Sequence, residues 1–113
     1  MLKTTIIKST VIALITISVF VFKAYAQEPI KVELLDDAKV FAQYDDEKPL
    51  VANYFTSHNE QEIIAFYEEK YGEIVSQERK KELLTLRFSE SDSNIRIIVS
   101  KQNNKHQVDI LIN

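Results

Sequence analysis

The sequence predicts a two-layer α+β domain, an antiparallel sheet with one helix packed on one face, in the order β-β-α-β-β-β-β. Three observations predict it. One stretch, Ile63 to Tyr71, carries apolar residues at helical spacing, and the only glycine of the chain, Gly72, closes it. Beyond Gly72, three segments alternate apolar and polar residues and are separated by short polar joints. Ahead of the helix, two short runs rich in β-branched and aromatic residues flank a polar turn.

The first pair of strands is expected at Ala38 to Tyr44 and Leu50 to Thr56. The turn Asp45-Asp46-Glu47-Lys48-Pro49 makes them a hairpin. Helix initiation is marked twice, by Ser57-His58-Asn59-Glu60 and by Asn59-Glu60-Gln61-Glu62, both with capping-box spacing. Ile63, Ile64, Phe66, Tyr67 and Tyr71 then fill one face of a helix near residues 59–71. Gly72 stands where a left-handed residue ends a helix.

A short strand, Ile74 to Glu78, is expected next, followed by a charged break at Glu78-Arg79-Lys80-Lys81. The meander comes last, with strands at Glu82 to Phe88, Asn94 to Ser100 and His106 to Ile112. Its inward sets are Leu84, Leu86 and Phe88; Ile95, Ile97 and Val99; Val108, Ile110 and Ile112. Leu83, Ile98 and Leu111 fall on the other side, beside Thr85, Arg87, Arg96, Gln107 and Asp109. One helix shields one face, so these three need cover from the lead-in arm, a second copy or a protein partner.

The start of the chain reads as an address. Lys3 and Lys8 precede the apolar run Val11 to Phe22, and Ala24-Tyr25-Ala26 follows. That is the order of a secretory signal, with cleavage expected after Ala26. The run is shorter than the roughly 20 residues of a membrane span. The product is expected to be periplasmic or secreted, with no stable membrane anchor after cleavage. An uncleaved anchor is the rival reading. Residues 27–37 form the lead-in arm, and 38–113 a single domain.

All 17 acidic side chains lie after residue 26, but only eleven of the 14 basic ones do, which leaves that part at −6. An acidic domain of this kind is a poor nucleic-acid binder. The absence of cysteine excludes a disulfide framework, a thiolate metal site and a lipidated cysteine.

The sequence Tyr54-Phe55-Thr56-Ser57, then Phe66-Tyr67 and Tyr71-Gly72, then a meander resembles a group of small exported bacterial α+β proteins of gammaproteobacterial type. Ser76 to Lys80 and Gln107 to Ile110 add to the resemblance, which covers most of residues 38–112. It implies an exported or periplasmic domain of this architecture. The group is uncharacterised, so it supplies no catalytic residues.

Candidate chemistry is sparse. Ser57 lacks the flanking glycines of a nucleophile elbow and reads as a helix cap. The two imidazoles, His58 and His106, have no second histidine or cysteine nearby, and the acidic pairs lack calcium-loop spacing. No enzyme activity, metal or cofactor is expected. Two uses remain. Pairing Phe88 with Ile95 sets Arg87 opposite Arg96, and pairing Ser100 with Lys105 sets Arg96 opposite Asp109. Together with Leu83, Ile98 and Leu111 these form an interaction patch for a protein partner, with a homodimer as one version. The alternative is a groove near Tyr54, Tyr67 and Tyr71 for a small molecule or glycan.

Overall fold

The computed structural model describes residues 29–113, so the expected signal segment and its cleavage point lie outside the described residues. The elements are β1 (Lys39–Tyr44), β2 (Leu50–Thr56), α1 (Glu60–Tyr71), β3 (Ser76–Lys80), β4 (Leu83–Glu90), β5 (Ser93–Gln102) and β6 (Lys105–Ile112). The six strands form one open antiparallel sheet in the order β1-β2-β6-β5-β4-β3. The fold is the predicted two-layer α+β arrangement.

Strict alternation builds the inner face. Leu50, Ala52, Tyr54 and Thr56 of β2 are buried, as are all nine inward residues of the meander. α1 adds Ile63, Tyr67 and Tyr71, which sit four residues apart on one stripe. Tyr71 packs on Phe88 with ring centroids 6.0 Å apart, and Tyr67 stacks on Tyr71 at 5.8 Å.

The helix starts at Asn59, not Ser57. The Asn59 side chain accepts from the Glu62 N–H at 2.8 Å, and the Glu62 carboxylate accepts from the Asn59 N–H at 3.0 Å. Of the two capping-box frames in the sequence, the second places the first helical turn directly under Ile63. At the far end, Gly72 has φ 93° and ψ −154°, which is an extended positive-φ conformation rather than the expected left-handed helical one. That region is essentially reserved for glycine.

The charged stretch Glu78-Arg79-Lys80 is not a break. It belongs to β3, which is an edge strand, where charged side chains reach water and discourage pairing with another sheet. The three joints of the second half are shorter than expected. Each is a two-residue turn, Lys81-Glu82, Ser91-Asp92 and Asn103-Asn104, and the strands extend to meet it. Lys81, Ser91, Asp92 and Asn103 take positive φ, as tight hairpins demand.

Centring the turn on Asn103-Asn104, one residue later than a Ser100–Lys105 pair requires, moves the last register by two residues. Phe88 pairs with Ile95 and Arg87 with Arg96, as read from the sequence. Ser100, however, pairs with Gln107, so Arg96 faces Leu111 and Ile98 faces Asp109. A two-residue shift preserves which side chains point inward.

The arm lies on the helix side of the sheet, not over Leu83, Ile98 and Leu111. Leu35 is buried in the core, and Ile30, Val32 and Leu34 pack against it. It runs antiparallel to α1. The Tyr71 hydroxyl donates to the Lys31 carbonyl and the Tyr67 hydroxyl to the Glu33 carbonyl, each at 2.8 Å. The Glu33 N–H in turn donates to the Tyr71 oxygen at 2.8 Å. A single twelve-residue helix, about 18 Å long, leaves much of a six-stranded sheet bare, and the arm fills that space.

Candidate functional site

With helix and arm on the same face, the opposite face of the sheet carries no layer among the described residues. Its side chains form rows across the strands, set by the registers. The first row runs Tyr44, Val51, Leu111, Arg96, Arg87. The second runs Ala42, Asn53, Asp109, Ile98, Thr85. Apolar groups therefore gather toward β1 and β2, and the arginines toward β4 and β5.

Of the patch residues expected from the sequence, Leu83 is 47% exposed, Ile98 and Leu111 are half-buried by their neighbours, and Arg87 and Arg96 are exposed. Leu83 lies in a broad depression together with Lys80, Lys81 and Lys101. Asp109 departs from expectation. Instead of offsetting Arg96, its Oδ1 accepts from Asn53 Nδ2 at 2.7 Å and from Gln107 Nε2 at 3.0 Å. Ion pairs among the described residues join His58 to Asp36, Asp37 and Glu62, and Arg79 to Glu60. Arg87 and Arg96 belong to none of them. Two like charges face each other with no carboxylate between them, an arrangement that costs stability in a sheet.

Beside this pair lies a cleft of about 240 Å³, lined among others by Val75, Arg87, Asn94, Arg96, Leu111 and Asn113. Asn94 and Asn113 exchange backbone hydrogen bonds of 2.9 and 3.0 Å, which fixes that border. Val75 is 68% exposed, and its N–H is held by the Arg87 carbonyl at 2.8 Å.

The sequence reading missed the aromatic end of the face. β1 bulges between Val40 and Ala42, which turns Phe41 onto the outer side, with its ring centroid 5.0 Å from that of Phe55. Phe41 is 54% exposed and Tyr44 is 70% exposed. Val51 and Phe55 alternate with the buried residues of β2 and so share the outer side. The bulge at Phe41 has no comparable signal in the sequence.

The tyrosines of the alternative groove sit elsewhere. Tyr54 and Tyr67 have no exposed surface and Tyr71 is 5% exposed. The Tyr54 and Tyr67 hydroxyls are 2.6 Å apart. Each phenol has one proton, and that of Tyr67 goes to the Glu33 carbonyl, so Tyr54 is the donor of that pair. Burial pushes the Tyr54 phenol up to about 12, and it raises those of Tyr67 and Tyr71 as well. The space a ligand would need beside them is occupied by residues 31–35.

One cluster escaped the sequence reading because its members are far apart in the chain. His58 Nε2 lies 2.8 Å from Asp36 Oδ1 and 3.8 Å from Asp37 Oδ1, and its Nδ1 lies 3.3 Å from Glu62 Oε2. The hydrogen bond to Asp36, then that to Glu62, raises the His58 pKa above the usual 6.5. Asp37 accepts from the Thr56 hydroxyl at 2.5 Å and from the Ser57 N–H at 2.8 Å. Burial opposes ionisation of Asp37, but these bonds and the nearby imidazole outweigh it and lower its pKa. The donor atoms of Asp36, Asp37 and His58 lie within 4.8 Å of one another, a set whose chemistry could hold a cation. As it stands, the cluster clasps the end of the arm to the start of the helix. Both ring nitrogens face carboxylates, so His58 is not placed to activate a hydroxyl. His106 Nδ1 lies 3.0 Å from the His58 carbonyl oxygen.

Comparison with protein-family models, curated proteins and solved structures finds no match.

Proposed function

We propose that this is a non-catalytic exported domain whose outer sheet face binds a protein partner with acidic character. One observation carries the reading: the arm and the helix share one face, and the other face presents Phe41, Tyr44, Ile98 and Leu111 beside two unpaired arginines. Apolar surface rimmed by charge is how interaction sites on small domains are built. The positive end of the face stands against an acidic background, so it selects a negative partner and orients its approach. The closed packing at Tyr54, Tyr67 and Tyr71 favours this use over the glycan groove.

The test begins with affinity capture from an envelope extract, identification of the captured protein, and reconstitution of the complex from purified components. Ile98→Lys combined with Arg87→Glu should abolish that binding and leave the thermal midpoint within a few degrees of wild type. If the complex survives the double variant, the outer face is not the interface. If the midpoint collapses, the face is structural and the reading is wrong.

A further inference from the structure

The geometry points to the cleft between Arg87, Arg96, Asn94 and Val75 as a receptor for a peptide carboxylate, namely the free C-terminus of the partner chain. This rests on the outer face being the interface, and it names the group that anchors there.

Size argues first. At about 240 Å³ the cleft exceeds the roughly 150 Å³ that holds a benzene ring, and it falls short of the roughly 300 Å³ at which small-molecule pockets begin. That is room for one residue's side chain together with its carboxylate.

Charge argues second. Arg87 and Arg96 are paired across adjacent strands, exposed, and without a carboxylate partner among the described residues. Guanidinium groups offer forked donors that match a carboxylate, and one anion between two of them removes their mutual repulsion. Asn94 and Asn113 also line the cleft, and their mutual backbone hydrogen bonds fix its border.

The mixture of walls decides the source. Val75 and Leu111 line the same cleft as the arginines. A chain terminus presents its carboxylate and its last side chain from one residue, so it can place an apolar group on Val75 and Leu111 while the arginines hold the anion. An internal aspartate or glutamate brings the anion at the end of its own side chain, with no apolar group of the same residue for those walls.

The experiment uses the domain with fluorescein-labelled hexapeptides ending in leucine, valine, phenylalanine or alanine, each as the free acid and as the amide. A further amidated set carries an internal glutamate. Polarisation titrations should show at least one free-acid peptide binding ten-fold or more tightly than its amide. That difference should disappear in Arg87→Gln and in Arg96→Gln, and binding should weaken as salt is raised. Chemical-shift changes should centre on Val75, Arg96 and Leu111. Equal binding of acid and amide, no binding at millimolar peptide, or indifference to both arginine variants overturns the proposal. Preference for the internal glutamate overturns the assignment to a chain end. These outcomes are separable from failure of the interface reading: a partner complex that is broken by Ile98→Lys, combined with peptides blind to amidation, removes the carboxylate receptor alone.

Discussion

Ile97 and Ile98 are consecutive residues of the same strand with the same side chain, and they lead different lives. Ile97 has no exposed surface and lies in the core under the helix and arm; Ile98 looks outward, half-buried between Thr85 and Asp109. The inner face is mostly hydrocarbon, closed by tyrosine hydroxyls. The outer face is a mosaic, apolar toward β1 and β2 and positively charged toward β4 and β5 in its first row, and mixed polar and apolar in its second. Residue type alone does not separate a fold's core from its contact surface. The layer that the chain itself supplies on one side does.

The comparison breaks most visibly with one substitution on each side. Ile97→Ala should cost about 2–5 kcal/mol, as deletion of a fully buried side chain does, and Ile98→Ala well under half of that. Urea denaturation of the two variants checks this. Similar losses would mean that the outer face is covered in solution. The next largest effect concerns the inner closure. Tyr67→Phe strands the Glu33 carbonyl and leaves the Tyr54 hydroxyl without its acceptor, an expected loss of about 1–3 kcal/mol. Hydrogen exchange at Glu33 should accelerate with it as the arm loosens.

Asn59→Ala tests the helix start that the structure selects. About 1 kcal/mol should be lost, against little for Ser57→Ala.

The smallest effect is a pH dependence at the clasp. The folded pKa of His58 lies above 6.5, so its contribution is fully present below that value and fades as pH rises through the folded pKa. Thermal midpoints of wild type and His58→Gln should therefore differ most on the acid side and converge in alkali. At the acid extreme, the bonds of Asp37 add stability that is lost as pH falls below 3.8 through its lowered pKa. A His58 titration midpoint at or below 6.5 by NMR would contradict the clasp.

Alternation in Leu84 to Phe88, Ile95 to Val99 and Val108 to Ile112 told which side chains face inward, because that depends only on parity. It told less about which residues sit opposite each other. The five polar residues Lys101 to Lys105 do not mark the centre of their turn, and moving that centre by one residue places Asp109 opposite Ile98 instead of Arg96. The strand expected at Ile74 to Glu78 lies two residues further on, at Ser76 to Lys80, and its charged end was hidden because Arg79 and Lys80 look like a turn unless the strand is known to be an edge. The arm was undecidable for a different reason. Its hold on Tyr67 and Tyr71 uses the backbone carbonyls of Lys31 and Glu33, and every residue has a carbonyl. The patch residues Leu83, Arg87, Arg96, Ile98 and Leu111 were legible from parity, whereas Phe41 joined them through a bulge.

The position of β6 between β2 and β5 bears on how the domain assembles. The turns of the second half are two residues long, so β3, β4, β5 and β6 can zip together through contacts local in sequence, which form fast. β1 and β2 form a hairpin of their own. The two halves of the sheet share hydrogen bonds only along the β2–β6 seam, whose pairs are separated by 50 to 62 residues of chain, a closure that is entropically costly and slow. The rate-limiting step is expected at that seam. Core substitutions within β4 and β5 should then slow folding, and substitutions in β1 or the arm should mainly speed unfolding.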